Sequence, residues 1–491
     1  MSNFTSLDGG IVGVYLLITM VAGVMVRKYV GKVEDFLLAR REMDVYLGIA
    51  SLAATEFGIV TCMYTAQNGF EKGFAGAVPG LLTFVAMFLV GWTGFCVKPL
   101  RDSGVVTIPE LFERKFGPRV RWASGVVIVL GGLLNMGVFL RTGGDFLVNV
   151  SGLDPKYLKV MMTALLVGVA TYTILGGMLS VLITDFLQFI VMCAGLIVTT
   201  FLILYKVGWS TLVNTVQTHY GEGGFNPFLN ENMGWSYVIF NALLNTAAVL
   251  TWQTQIARVL AAKDSRTGRK VYTGTSFFFV ARFLIPGIWG IAALALLTPQ
   301  QVGGNTLLAM PKMLSILVPP GLMGLLVAAM LAADMSTDSS YMLTWGSVIY
   351  NDIMAPLRKQ KWSEKKGLLW NRTIIAIIGL FLLVYGLWYK IEGDLWTYLG
   401  ITGTIYLSSM SVLLIACCYW KRANSWGATA AIIFGALVPA ATLILQKVGP
   451  MTDWFQKNDT SCGVATYLIV ALGMIVGSLL KPQSQSPAKG G

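Results

Sequence analysis

Long apolar runs constrain this chain more than any other feature of its sequence. Runs of 18 or more residues with few charges recur from Gly9 to Leu480, and each could cross a hydrocarbon core of about 30 Å as a helix. Only 12% of the 491 residues are charged and 55% are apolar, a composition that points to lipid as the solvent. We predict an all-α polytopic membrane protein with about thirteen spans, near residues 9–26, 44–70, 74–97, 122–150, 158–177, 179–205, 234–257, 272–298, 318–351, 373–389, 395–420, 427–446 and 461–480.

The distribution of Lys and Arg predicts how these spans are oriented. If the N-terminus is outside, the cytoplasmic loops are 27–41, 98–121, 258–270, 358–372, 421–422 and the tail after 480. Those loops hold 26 of the 36 basic residues, whereas the external segments hold 8. Cytoplasmic loops of membrane proteins carry such an excess of basic residues. An odd number of spans then places the C-terminus inside.

The order of the spans predicts one transmembrane domain, 1–491, with internal symmetry. Spans two to six (44–206) and seven to eleven (234–420) can form two five-helix halves of opposite orientation. Such halves build a site near the middle of the membrane, with the first helix of each half interrupted. In span two, Glu56 stands beside Phe57 and Gly58, which suits a local break that exposes backbone carbonyls. The remaining parts are an extra helix with its cytoplasmic loop (1–43), two further helices (421–482) and a short tail (483–491).

Charged residues inside predicted spans are the strongest pointers to function. Each costs roughly 2.5 to 3.5 kcal/mol at the centre of a membrane helix, so such residues are retained for a reason. The alternative is that they pair with one another and only lock the bundle. The residues concerned are Glu56, Arg141, Asp145, Asp185, Arg282, Asp334 and Asp338.

Residues 332–340 form the densest polar stretch of any span. On a helix, Ala333, Ser336 and Ser340 share one face, with Thr337 and Ser339 beside it. Hydroxyl and carbonyl oxygens that converge on one point suit a small hard cation such as sodium. The alternative is that the hydroxyls bond back to the preceding helical turn.

Several other function classes lack support in the sequence. The single His219 and the six cysteines show no metal-ligand spacing, and we expect the cysteines to be reduced packing residues. A Walker-type loop is missing, which disfavours ATP-driven pumping. The net charge of +12 is explained by the cytoplasmic loops, so we expect no nucleic-acid partner. We also expect no enzymatic activity, and an ion gradient remains as the energy source.

Six segments follow one another along the chain in the order of a known family. They are 33–37 with Arg41, then 107–112, 173–177 leading into 184–188, 255–258 with 261–264, 333–340, and 419–422 followed by Gly427. In these segments, which extend over nearly the whole chain, the sequence resembles the sodium/solute symporter family, which includes bacterial proline, pantothenate, sialic acid and galactose transporters.

The resemblance implies a leucine-transporter-like core with one helix before it and two after it. It also implies two sodium sites, the second of which only some members of the family use. It implies no cofactor other than sodium as the coupling ion. The first sodium site would use Ala54, Phe57, Ala333, Ser336 and Thr337, and the second would use Asp185, Ser336, Ser339 and Ser340.

The chain departs from the family's familiar members at several charged positions. Glu56 stands where proline transporters have an aspartate, and Asp334 and Asp338 stand where small or apolar residues are usual. Arg282 falls where galactose transporters place a lysine that contacts the sugar. An arginine there could hold a carboxylate bidentately or form a structural pair with Glu56.

These features predict sodium-coupled import of a small polar solute by alternating access, the solute being an amino acid or another carboxylate. The open alternatives are a sugar or another neutral solute, a proton-coupled carrier, and a sensor or channel of the same fold. We expect a multi-pass protein of the plasma or inner membrane that contacts lipid and functions as a monomer. The candidate solute-binding or gating residues are Glu56, Thr61, Gln67, Asn68, Trp252, Gln253 and Arg282.

Overall fold

The computed structural model of the protein describes residues 3–358, 360, 362–388, 394–446, 448 and 451–481. Within these residues the chain is helical, and its β-pairing is limited to one isolated bridge between Met43 and Ala262. Short helices such as Val33–Leu38 and Ile108–Phe116 lie in the connections. The main helices are α1 Ser6–Met25, α2 Val45–Glu56, α3 Ile59–Lys72, α4 Val78–Thr93, α5 Pro118–Met136, α6 Phe139–Ser151, α7 Leu158–Val207, α8 Gly234–Thr251, α9 Gln253–Ala261, α10 Ser265–Leu296, α11 Leu322–Val348, α12 Glu364–Trp388, α13 Leu395–Tyr419, α14 Ser425–Leu445 and α15 Asp459–Leu480.

Ten helical segments of the described chain are long and apolar enough to cross a membrane. Among them, α7 has 50 residues, a length of about 75 Å, and it is divided at Gly177, where φ is +54° and ψ is −144°. Thirteen crossings result under three conditions. Helix α7 crosses the membrane twice, α2 and α3 together form one crossing that is separate from the crossing of α4, and α8 and α9 together form one crossing. That number and the orientation of the termini stay predictions. The predicted tail, 483–491, lies outside the described residues.

Two of the helical paths are interrupted, one at the predicted break of span two and the other within span seven, the first helix of the second predicted half. Phe57 (φ −115°, ψ 76°) and Gly58 (φ −83°, ψ 171°) separate α2 from α3. Trp252, with a ψ of 119°, separates α8 from α9. Backbone groups at such breaks lack their helical partners and are free to bind ligands. Both predicted interruptions are confirmed.

Helix α11 is enclosed by its neighbours over nearly its whole length, and it packs closely along α7. Its N-terminal end is capped from a distant part of the chain. The carboxylate of Asp8 in α1 accepts hydrogen bonds from the backbone amides of Gly321 (2.7 Å) and Gly324 (2.6 Å). A carboxylate in this position satisfies amides that have no helical partner and complements the helix dipole. Helix α1 therefore holds one end of α11 in place.

The contact between α3 and α10 depends on glycine. A Cβ atom built on Gly290 would overlap the carbonyl oxygen of Ala66, and one built on Gly69 would overlap the carbonyl oxygen of Gly287. Small residues let membrane helices approach to backbone contact. This approach positions Arg282, which lies on the same helix as Gly290, against α3.

We expect Gly290→Ala to lower the melting temperature of the purified protein, whereas Gly287→Ala leaves it nearly unchanged. The new methyl group at 290 meets backbone, and overpacking of this kind costs about 1 to 3 kcal/mol. A Cβ atom at 287 meets nothing within 4 Å, which makes this variant a matched control on the same helix. Size-exclusion chromatography of samples heated to increasing temperatures measures the difference in melting temperature. Equal melting temperatures of the two variants would contradict the packing argument.

Candidate ion and solute sites

The break between α2 and α3 faces the polar stretch of α11. The Thr337 hydroxyl lies 2.9 Å from the carbonyl oxygen of Thr55 and 3.0 Å from that of Ala333, and it can donate to either. A Cβ atom on Gly58 would lie 2.8 Å from the same hydroxyl. The other residues predicted for the first sodium site, Ala54, Phe57, Ala333 and Ser336, are fully buried. The structure thus places the polar stretch directly against the broken helix.

Asp185 on α7 lies at the centre of a second polar cluster. One carboxylate oxygen accepts a hydrogen bond from Ser336 at 2.6 Å, and the other accepts from Ser51 at 2.5 Å. Arg258 on α9 makes an ion pair with the same carboxylate at 3.0 Å, and both side chains are 0% exposed. Three of the helices involved, α2, α7 and α11, carry residues predicted to bind sodium.

The other hydroxyls predicted for the second sodium site are divided. Ser340 accepts a hydrogen bond from Arg258 at 2.6 Å and lies 2.9 Å from the Thr55 hydroxyl. Ser339 instead donates to the carbonyl oxygen of Ser336 at 3.1 Å, as the alternative of back-bonding to the preceding turn predicts. Ser340 therefore belongs to the Asp185 cluster directly, whereas the Ser339 hydroxyl points back to its own helix.

A cavity of about 100 Å³ lies beside the break and carries the charged pair of the site. On its wall, an Arg282 nitrogen lies 3.6 Å from a carboxylate oxygen of Glu56. Arg282 also donates to the hydroxyls of Thr61 (3.2 Å) and Tyr64 (3.0 Å), and Glu56 accepts from Thr254 at 2.7 Å. The two charges are thus close, nearly buried and open to the same cavity.

Aromatic rings cover the apolar part of the same wall. The Arg282 guanidinium lies 5.0 Å from the ring centroid of Phe279 and 5.6 Å from that of Phe283, distances at which cation–π attraction operates. Trp396 packs 4.9 Å from Tyr64 and 5.6 Å from Phe283. Rings around a cation exclude water, which strengthens the attraction of Arg282 for an anion.

Four of the seven residues predicted to contact or gate the solute line this cavity: Glu56, Thr61, Trp252 and Arg282. The other three lie elsewhere. Gln67 donates to Glu71 and Thr306, and Asn68 accepts from Lys72, all toward the end of α3 that is remote from the break. The Gln253 amide points to the carbonyl of Thr251 at 3.5 Å and is not part of the cavity wall.

Sequence reasoning passed over several residues that the structure brings into these sites. The cavity wall includes Asn135, Asn245, Gln255 and Tyr341, and an amide within an apolar span was the available signal for Asn135 and Asn245. The charge distribution predicts that Arg258 is a cytoplasmic loop cation, but the structure buries it completely. Arg258 follows an apolar run, so its position in the sequence is typical of an exposed loop residue. It is buried because α9 packs against α2.

The remaining charged residues of the predicted spans do not join the cavity. Arg141 and Asp145 pair with each other at 3.1 Å across one turn of α6, so this pair lies within one helix and joins no two helices. Asp334 and Asp338 are each 2% exposed. One carboxylate oxygen of each lacks a hydrogen-bond partner among the described residues. These two acids form a feature separate from both the cavity and the Asp185 cluster.

Comparison with solved structures identifies the fold. The structure of a Na⁺-coupled sialic acid symporter in a substrate-bound, outward-open state matches with a TM-score of 0.81 at 19% identity, over 98% of both chains. Mhp1, a nucleobase-cation-symport-1 family transporter, matches with a TM-score of 0.56 at 14% identity, over 92% of this chain and 96% of its own. The helices are therefore arranged as in transporters with the leucine-transporter-like fold.

Sequence comparison identifies the family. Sodium/glucose cotransporter 4 of Danio rerio is 27% identical over 497 residues, which cover 93% of this chain and 73% of that protein. The osmoregulated proline transporter OpuE of Bacillus subtilis is 24% identical over 498 residues, which cover 97% of this chain and 95% of that protein. The model of the sodium:solute symporter family matches residues 36–435, and this chain is therefore a member of that family of sodium-coupled transporters, not an enzyme.

Proposed function

We propose that the protein imports a small solute that bears a carboxylate, such as an amino acid, by sodium-coupled alternating access. The observation that carries this proposal is the pair formed by Arg282 and Glu56, 3.6 Å apart on the wall of one cavity. A guanidinium presents a planar fork of donors that matches a carboxylate. An amino acid would place its carboxylate at Arg282 and its ammonium group near Glu56. Each buried charge would then gain a second counter-charge, which offsets the cost of desolvation.

The coupling ion is proposed to bind where the broken helix meets α11. Carbonyl oxygens of Ala54, Phe57 and Ala333 and hydroxyls of Ser336 and Thr337 supply only neutral oxygen ligands, which suit a monovalent hard cation. Bound sodium would join α2 to α11 and so shape the adjacent cavity. Sodium binding and solute binding are thereby coupled through one element, as linkage requires.

The proposed cycle uses the architecture predicted from the sequence. Thirteen crossings with the N-terminus outside would place α2 to α7 and α8 to α13 in two inverted halves. Rocking of one half against the other exposes a fixed central site to each side in turn. We propose a monomer in the plasma or inner membrane as the unit that carries out this cycle.

Counterflow in proteoliposomes tests the proposal. Purified protein is reconstituted and supplied with radiolabelled amino acids, organic acids and sugars, with an inward sodium gradient or with potassium in its place. We expect at least one carboxylate-bearing solute to accumulate only with sodium. Transport of every accepted solute without sodium would refute coupling. Acceptance of sugars alone would favour the neutral-solute alternative, in which the Arg282–Glu56 pair is structural.

A proton-coupled carrier is the second candidate, favoured by Asp334 and Asp338. Both are nearly buried, and one carboxylate oxygen of each lacks a hydrogen-bond partner among the described residues. Neither acid takes part in any of the ion pairs formed by the described residues. Acidic residues enclosed within membrane helices are typical of the proton relays of pumps and transporters. Uptake driven by a pH step in sodium-free buffer would support this candidate, whereas uptake that ignores the pH step and follows sodium would exclude it.

A further inference from the structure

The wall of the cavity holds a buried amide whose oxygen has no partner in the protein. Gln255 on α9 lines the cavity and is 2% exposed. Its Oε1 atom lacks a hydrogen-bond partner among the described residues. A buried amide oxygen without a hydrogen bond is costly, because it has given up its bonds to water. Gln255 therefore requires a partner that the cavity supplies.

The two other amide side chains of the wall are held by the protein itself. Asn245 accepts a hydrogen bond from the Thr83 hydroxyl at 2.8 Å. Asn135 donates to the carbonyl oxygen of Leu399 at 3.0 Å. Both asparagines thus join neighbouring helices, which accounts for their presence in apolar spans. Gln255 makes no such contact with its carbonyl group, and helix packing does not account for it.

Gln255 and Arg282 lie toward opposite ends of the cavity. Arg282 donates to the Thr61 hydroxyl on α3 at 3.2 Å. Gln255 belongs to α9, and the next turn of that helix bonds to α2 where Arg258 donates to the Thr55 hydroxyl at 2.7 Å. Helices α2 and α3 lie on the two sides of the break, so the guanidinium and the amide face the cavity from different sides of it.

Glu56 lies between these two groups. Its carboxylate is 3.6 Å from Arg282 on one side, and on the other side it accepts a hydrogen bond at 2.7 Å from Thr254, the neighbour of Gln255 in the sequence. The wall thus offers a guanidinium, a carboxylate and an amide in that order. An amino acid with a polar side chain presents the complementary groups in the same order.

We propose that Gln255 binds the end of the solute that is remote from its carboxylate, and that it selects solutes with a hydroxyl or carboxamide group there. The inference rests on the proposed function, in which Arg282 holds the carboxylate of the solute. Hydroxyl and carboxamide groups can donate and accept, so they pair with either orientation of the glutamine amide. An apolar group would leave the amide unpaired, and sites built to hydrogen-bond a solute reject such analogues strongly.

Competition between matched carboxylates tests the inference. The pairs are threonine against valine, asparagine against leucine, and β-hydroxybutyrate against isovalerate, and the two members of each pair have nearly the same shape. Each compound competes with the best labelled solute of the counterflow screen at saturating sodium. In the wild type we expect the polar member of at least one pair to compete at a concentration about tenfold lower than its apolar partner, as the loss of one buried hydrogen bond predicts.

Variants of the two glutamines of α9 assign this preference to one residue. Gln255→Met removes the amide but keeps the length of the side chain, and it should abolish the preference. Gln253→Met makes the same change two residues earlier, outside the cavity wall, and should keep the preference of the wild type. If Gln255→Met does not give a monodisperse protein, Gln255→Asn decides. It withdraws the amide by one carbon and should also lower the preference.

Two results would overturn the inference. One is a wild type that prefers the polar member of none of the three pairs, in which case water pairs with the amide. The other is a folded Gln255→Met or Gln255→Asn protein that keeps the full preference of the wild type. A wild type that accepts no carboxylate in the counterflow screen contradicts the proposed function itself, so the two failures are distinguishable.

Discussion

Replacing Arg282 with glutamine is expected to weaken binding of a carboxylate solute by about 10- to 100-fold. Hydrogen bonds to a charged group contribute about 1.5 to 3 kcal/mol, and each 1.4 kcal/mol is about a factor of ten in affinity. The effect should appear in the half-saturating solute concentration at saturating sodium, measured with the best solute from the counterflow screen. Arg282→Lys keeps the charge but loses the planar fork, so we expect an intermediate loss.

The same variants separate a solute contact from a structural pair. If Arg282 only balances Glu56, the double variant E56Q/R282Q, which removes both charges, should restore the solute affinity lost in Arg282→Gln. If Arg282 binds the carboxylate, the double variant stays weak. Binding of ²²Na⁺ in the absence of solute should remain at the wild-type level in Arg282→Lys, which confirms that the ion site is intact.

Thr337→Val is expected to raise the half-saturating sodium concentration by about tenfold or more. Valine keeps the shape of threonine but removes the hydroxyl that lies between the carbonyl oxygens of Thr55 and Ala333. Loss of an oxygen bonded to a charge costs about 1.5 to 3 kcal/mol. Sodium dependence of uptake at a fixed solute concentration measures the shift, and Thr337→Ser, which restores the hydroxyl, should recover most of the affinity.

Thr344 provides the matched control for this experiment. It is also a buried threonine of α11, and its hydroxyl donates to the carbonyl oxygen of Ser340 at 2.8 Å. Thr344→Val therefore removes one hydroxyl from the same helix, outside the predicted site. Equal sodium dependence in Thr337→Val and Thr344→Val would remove the support for sodium at the break of α2.

The helices and the breaks were predictable because their causes are local. Hydropathy over about twenty residues determines whether a segment can lie in lipid, and a charged residue beside glycine marks a helix that cannot run straight through an apolar span. The break at Phe57 and Gly58 and the polar face at Ser336 and Thr337 were accessible to such reasoning. The family resemblance then joined these two features, which are nearly 280 positions apart in the sequence.

Side-chain partners were less predictable because they depend on packing between distant segments. Lys72 counts as an external loop cation in the sequence, but it is 5% exposed and pairs with Asp394 at 2.9 Å. Gln67 and Asn68 follow the break closely in sequence, yet two turns of α3 carry them toward Glu71 and Lys72. Distance along a helix, not polarity, separates these amides from the cavity.

The cap that Asp8 provides to α11 has a consequence for biosynthesis. The acid and the amide of Gly321 that it binds are 313 residues apart. At 5 to 20 residues per second, about 15 to 60 s separate the synthesis of the two partners. During that interval the carboxylate of Asp8 lacks the α11 amides that it binds in the finished structure. Asp8 is therefore made well before its partners, and the N-terminal end of α11 is capped only after α11 has been synthesised and packs against α1.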